Sequence, residues 1–127
     1  MPVSLLVQSL MAFNLACTGS SLSVHGGRIH GELRPMSVVF RIDLDANRYC
    51  SDVCAETQPI TSVTYGDIVL QDEIDKVSGE VIYRTVSRES GRYYADRKTG
   101  VGRKLKRVVM VGNCESAPFT GFPDRKF

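Results

Sequence analysis

Hydrophobic and polar residues alternate along much of the chain, a pattern typical of β-strands with one buried face. Near the start, Met11, Phe13, Leu15 and Cys17 are apolar at every second position. Residues 38–44 repeat the pattern, since every even position there is apolar. Both segments therefore predict strands that bury one face.

Turn-forming residues divide the rest of the chain into short segments. Gly26-Gly27 predicts a two-residue hairpin, because glycine accepts the positive φ that such turns require. Gly91 predicts a second hairpin for the same reason, and Gly66 predicts a bend or bulge within one strand over residues 60–71. Further turns are predicted at residues 45–47, 72–79 and 98–100. Residues 101–111 read as the last long strand, and little regular structure is predicted from Gly112 onward.

Short strands joined by local turns predict an all-β fold. We expect a single-domain antiparallel meander, closed into a small barrel or folded as a sandwich, because closure removes exposed strand edges. At 127 residues and 14.0 kDa the chain has the size of one domain. Residues 11–127 form the predicted β domain, and residues 1–10 precede it.

Residues 1–10 allow three interpretations. Apolar residues at helical spacing would suit a short N-terminal helix, an export signal without a basic start, or an extension upstream of the true start codon. If residues 1–16 act as a signal the protein is exported, and if Met11 is the true start it is cytoplasmic. No run of eighteen apolar residues is present, so no transmembrane span is predicted.

Composition is that of a globular protein, with 43% hydrophobic and 24% charged residues. Charge is distributed unevenly along the chain. Residues 1–83 hold five Lys/Arg and ten Asp/Glu, a balance of −5, whereas residues 84–127 hold eleven and four, a balance of +7. The two halves could neutralise each other within one sheet, or the basic half could face an anionic partner.

Four cysteines, at positions 17, 50, 54 and 114, suit two disulfides with three alternative pairings. Because Cys17 ends the first predicted strand and Cys114 follows the last, closure would favour Cys17–Cys114 and leave Cys50–Cys54. A four-thiolate zinc site and free buried thiols are the alternatives, and a Cys50–Cys54 redox pair lacks the usual spacing. We expect no cofactor and no metal.

Basic residues in the second half make an anion-binding surface conceivable. With neighbouring tyrosines, such a sheet could bind RNA or DNA. The alternative is an edge strand whose charges prevent pairing with other chains. The candidate residues are Arg88, Arg92, Arg103, Lys104, Lys106 and Arg107.

Catalytic motifs are missing from the pattern. His25 and His30 flank the Gly26-Gly27 turn and could approach each other as a weak metal or anion site, or they are solvated hairpin side chains. No Gly-x-Ser-x-Gly elbow accompanies them, and no carboxylate pair suggests acid–base chemistry. The question of enzymatic activity stays open, and the sequence favours a non-catalytic protein.

Three segments carry a resemblance. They are residues 13–19, residues 40–44, and Gly112-Asn113-Cys114 followed by residues 118–123. Together they resemble a family of small uncharacterised β-rich proteins predicted in α-proteobacterial genomes, some with an export signal and some without. The resemblance covers residues 11–127 and implies a bacterial origin and a compact β fold. It implies no activity, so no functional residue follows from it.

The tail contains Phe119, Phe122 and Phe127 among prolines and a glycine. We expect it to cap an open end of the β structure; the alternatives are that it plugs a ligand cavity or docks on a partner.

Taken together, the sequence predicts a small β domain that binds a small ligand or a protein partner. The alternative is an RNA- or DNA-binding module that uses the basic half.

Overall fold

A computed structural model describes residues 11–123. The helix considered for residues 2–10 and the terminal Phe127 lie outside this range. The described residues form nine strands and one short 3-10 turn at Gly102–Lys104. The strands are β1 (Ala12–His25), β2 (Arg28–Asp43), β3 (Arg48–Ser51), β4 (Gln58–Pro59), β5 (Ser62–Val63), β6 (Asp67–Ile74), β7 (Val81–Ser87), β8 (Arg92–Thr99) and β9 (Lys106–Pro118).

All nine strands belong to one antiparallel sheet that curls into a half-barrel, which confirms the predicted all-β class. Their order is β4-β3-β2-β1-β9-β8-β7-β6-β5, so the first long strand lies beside the last. The two edge strands, β4 and β5, are consecutive in the chain, and only Ile60 and Thr61 separate them. The Ile60 amide donates to Asn47 O at 3.1 Å, and the Thr61 amide donates to Val69 O at 3.0 Å. The backbone therefore crosses the open seam directly.

The concave side of the sheet holds the core. Phe40 contacts Tyr49 and Tyr93, with ring centroids 6.2 and 5.5 Å apart. Leu15 and Cys17 are buried one strand away, as the alternation near the start predicted. The glycines at the predicted hairpins have the expected conformation, with φ of 57° at Gly26 and 82° at Gly27.

The sequence prediction was wrong around Gly66. Residues 60–71 do not form one bent strand; instead β5 and β6 pair as a hairpin, with Ser62 opposite Val69. The Thr64 amide donates to Asp67 O at 2.8 Å, and the Asp67 amide donates back to the Thr64 hydroxyl at 3.0 Å. These two bonds close the reversal without a positive φ at Gly66.

Two other boundaries also needed correction. Strand β6 continues to Ile74, so the turn predicted for residues 72–79 is shorter. Strand β9 begins at Lys106 and continues through Gly112 to Pro118, because β1 offers it a pairing partner along its whole length. Residues 101–105 therefore form a turn, and the segment after Gly112 is regular.

Up to residue 123, where the described part of the chain ends, the tail does not close an end of the half-barrel. Asn14 and Arg41 lie on the outer face, since their strand neighbours point into the core. The Asn14 amide group donates to the Thr120 hydroxyl at 3.0 Å, and the Arg41 guanidinium donates to Gly121 O at 3.0 Å. Residues 119–122 consequently fold back onto the outside of the sheet.

Candidate functional site

A cavity of about 310 Å³ opens at the end of the half-barrel where β1 starts and β9 finishes. We call it the proximal cleft. Its walls come from β1, β6, β7 and β9, and the β7–β8 turn contributes the rim. The lining residues are Phe13, Leu15, Ile68, Val86, Ser87, Arg88, Gly91, Cys114 and Ser116.

Strand alternation makes the cleft mainly apolar. Phe13 and Leu15 point inward from β1, and Ile68 and Val86 point inward from the opposite wall. Leu15 lies opposite Ser116 in the β1–β9 ladder, so the Ser116 side chain faces the cleft from its exposed rim. The cleft is therefore a pocket for an apolar group, with a hydroxyl at its edge.

Arg88 stands at the mouth of the cleft in a fixed position. Its amide donates to Gly66 O at 2.7 Å, and its guanidinium donates to Thr64 O at 3.0 Å. Tyr65, which is fully exposed, lies in the turn that these bonds hold. Within residues 11–123, the Arg88 guanidinium makes only this one hydrogen bond, so most of its five N–H donors face solvent. The mouth thus offers a positioned cation.

The structure does not bring the six predicted anion-binding residues together. Arg88 lies at the proximal cleft, and Arg92 is exposed on β8 nearby. Arg103 and Lys104 lie in the 3-10 turn at the opposite end of the sheet, beside Lys106. The prediction of one strand over residues 101–111 was wrong for Arg103 and Lys104, because β9 starts only at Lys106.

Arg107 is already occupied by Asp96. Its guanidinium donates to the two carboxylate oxygens at 2.9 and 2.7 Å. This hydrogen bond is the main reason that the pKa of Asp96 lies below its ordinary value of 3.8. Asp96 also accepts a hydrogen bond from the Tyr94 hydroxyl at 3.2 Å. Arg107 therefore bridges β9 to β8 through Asp96, and its guanidinium is not available to an external anion.

We expect this pair to make stability sensitive to acid. A lowered folded-state pKa stabilises the protein above the unfolded value and loses that contribution as pH falls through the folded value. Asp96→Asn should cost about 1 kcal/mol at neutral pH. Urea unfolding at neutral pH and at several values below 3.8 should show the difference between wild type and variant shrinking with acidity. A difference that is constant with pH would contradict the role of the ion pair.

The cysteines are paired as Cys17–Cys114 and Cys50–Cys54, as the closure argument predicted. Cys17 lies directly opposite Cys114 in the β1–β9 ladder, with Cα atoms 3.9 Å apart. None of the cysteines is free within residues 11–123. Since each pair is separate from the other, the four sulfurs do not converge on one zinc ion. Cys114 also lines the proximal cleft, so one disulfide forms part of its wall.

His25 and His30 approach each other as the hairpin predicted. Their rings stack with centroids 4.1 Å apart and planes 9° apart. Both side chains are exposed, and no cluster of three His, Cys, Asp or Glu side chains suited to a metal occurs within residues 11–123. Stacked and solvated, the pair belongs to the hairpin surface.

No helix within residues 11–123 has the length and apolarity that a membrane span requires. Sequence reasoning missed the proximal cleft, since its walls are contributed by strands that the sequence could not place side by side.

Comparison with protein-family models, with curated proteins and with solved structures finds no match to this chain.

Proposed function

We propose that this domain is a non-catalytic binding protein for a small amphipathic ligand that carries an anionic group. The observation behind the proposal is the proximal cleft, with apolar walls and Arg88 anchored at its mouth. Ligand sites combine a mainly apolar concave surface with a few positioned polar groups, and their volumes begin near 300 Å³. A short acyl chain or a ring with a carboxylate fits this description.

Two features support an exported location for this activity. Both disulfides join cysteines that the fold places side by side, and such bonds persist in oxidising compartments. One of them lies in the wall of the cleft. We infer that the ligand is met outside the reducing cytoplasm.

Octanoate is a suitable probe, with octylammonium as its counterpart of opposite charge. We expect octanoate to shift the NMR signals of cleft residues, and Arg88→Gln to weaken its binding roughly tenfold, because a hydrogen bond to a charged group is lost. Ser116→Trp should abolish binding of either probe by filling the cleft. Affinities from the titration would measure both effects.

Matched variants separate the cleft from the general surface. Arg92→Gln removes an exposed arginine that does not line the cleft, and Asn113→Trp adds the same bulk on the outer face. Both should bind octanoate as wild type does. Equal affinities for octanoate and octylammonium would contradict the role of Arg88 in binding the anionic group. Unchanged octanoate binding by Ser116→Trp would show that the ligand does not bind in the proximal cleft.

A further inference from the structure

Three turns lie at the end of the sheet opposite the proximal cleft. They are residues 25–30, 75–80 and 100–106, which we call the distal rim. His25 pairs with Arg28 and with Lys106, and Lys106 pairs with Thr99, so two of the turns begin at one level of the ladder. The Asp75 amide donates to Glu80 O at 2.8 Å one step beyond the last β6–β7 pair, which puts the third turn within a residue of that level.

Backbone contacts join the first and last of these turns. The Gly26 amide donates to Leu105 O at 2.8 Å, and Gly26 packs against the backbone of Arg103. Segments far apart in sequence therefore form one continuous surface. Strand order, rather than any local motif, creates it.

Each turn of the distal rim exposes one aliphatic side chain. Ile29 is 68% exposed, Val101 is 84% exposed and Val77 is fully exposed. A solvated aliphatic residue at a single turn is ordinary, because much of any protein surface is apolar. Three at the same end, one on each turn, form a set that can enter an apolar phase together.

The rim is also cationic. Besides its two histidines, its basic residues are Arg28, Lys76, Arg103, Lys104 and Lys106, all of them exposed. Its carboxylates are Asp75 and Glu80, and both are engaged. Asp75 caps its own turn by accepting from the amides of Val77 and Ser78 at 2.9 and 3.2 Å, which lowers the pKa of Asp75. Glu80 pairs with Arg97 at 3.1 Å.

We propose that the distal rim docks on the surface of an anionic lipid bilayer. The three aliphatic side chains would enter the boundary of the acyl region, and the cations would lie among the anionic headgroups. Charge complementarity favours this partner, since the rim carries five Lys and Arg residues against the two carboxylates of Asp75 and Glu80. Single-stranded nucleic acid is the less suitable partner, because the rim has no Phe, Tyr or Trp on which bases could stack, and its two histidine rings stack on each other.

Docking in this orientation leaves the proximal cleft facing away from the bilayer. The nearest other carboxylates along the strands are Glu32, Asp72, Glu73 and Asp96, and each lies below the tips of the turns. Asp72 and Asp96 both pair with Tyr83, and Asp96 is hydrogen-bonded to Arg107. The rim therefore meets the headgroups before these acidic side chains do. The proposal is independent of what the cleft binds.

Co-sedimentation with vesicles tests the proposal on the full chain. We expect binding to phosphatidylcholine vesicles that contain phosphatidylglycerol and little binding to pure phosphatidylcholine, with affinity falling as salt rises. Replacing two cations, in R103Q/K104Q, should weaken binding roughly twenty-five-fold, at about fivefold for each charge near the surface. The aliphatic variant I29S/V101S should weaken binding about tenfold.

Control variants remove similar side chains elsewhere. R92Q/V53S takes away an exposed cation and an exposed aliphatic residue outside the rim and should bind the vesicles as wild type does. Circular dichroism would establish that every variant folds. Equal binding to both kinds of vesicle, or unchanged binding by either rim variant, would overturn the proposal. So would binding of a single-stranded oligonucleotide, without vesicle binding, that R103Q/K104Q weakens and I29S/V101S does not.

Discussion

Replacing both cysteines of the Cys17–Cys114 disulfide with alanine should cost about 4–5 kcal/mol of unfolding free energy. The two residues are separated by 97 positions, so the bond closes almost the whole described chain into a loop. In the chain-entropy model a loop of that size stabilises by about 4.7 kcal/mol, because the unfolded ensemble loses so many conformations. Cys17 is also fully buried, and its truncation leaves a void. Urea unfolding of the double variant measures the loss.

The second disulfide provides the comparison. Cys50 and Cys54 are only four positions apart, and the same model assigns their bond about 2 kcal/mol. The C50A/C54A variant should therefore unfold at a clearly higher urea concentration than C17A/C114A. Equal losses would mean that the β1–β9 bond does not act through the unfolded chain.

Gly19→Ala should cost about 3 kcal/mol or more. Gly19 lies directly opposite Gly112 in the β1–β9 ladder, and a Cβ on Gly19 would overlap the Val111 carbonyl oxygen and the Gly112 Cα. These atoms are backbone in a paired strand, so they cannot rotate away as a flexible side chain can. The clash must be relieved by moving β1 from β9, which strains the ladder and the nearby disulfide. Thermal and urea unfolding should both detect the change.

Gly66→Ala is the matched glycine variant. A Cβ there would meet no atom within 4 Å, and Gly66 does not have a positive φ. We expect it to leave stability unchanged or to raise it slightly, because alanine restricts the unfolded chain. If Gly19→Ala were as stable as Gly66→Ala, close approach of β1 and β9 would not be what requires glycine at position 19.

Strands were predicted correctly from the sequence where one face is buried and the other is exposed to solvent. Leu15 and Cys17 alternate with exposed neighbours because only their side reaches the core, so the period of two is visible in the residues. The hairpin turns could also be predicted from their glycines, since few other residues adopt a positive φ. The disulfide pairing followed from the placement of Cys17 and Cys114 near the ends of a closed arrangement.

Other elements have no comparable pattern in the sequence. The β5 strand has only two residues, both exposed, so no alternation marks it. Little regular structure was predicted from Gly112 onward, whereas in the structure this glycine lies within a strand and permits the close contact with Gly19. Both candidate surfaces were missed for one reason. The proximal cleft and the distal rim each combine strands or turns far apart in the chain, and neighbouring positions in sequence say nothing about strand order.

The crossing of the seam by Ile60 and Thr61 has a consequence for folding speed. Every strand in this sheet lies beside its neighbour in sequence except at the seam, and the one distant pairing joins β1 to β9. A circular permutant cut at residues 60–61, with the end of β9 linked to the start of β1, would have the same sheet as an unbroken meander. All of its ladders would then be local, and chains with local contacts fold faster than chains that must first close a long loop. In the present connectivity, we therefore expect closure of β1 on β9 to limit the folding rate, and the disulfide joins the two strands once they have paired.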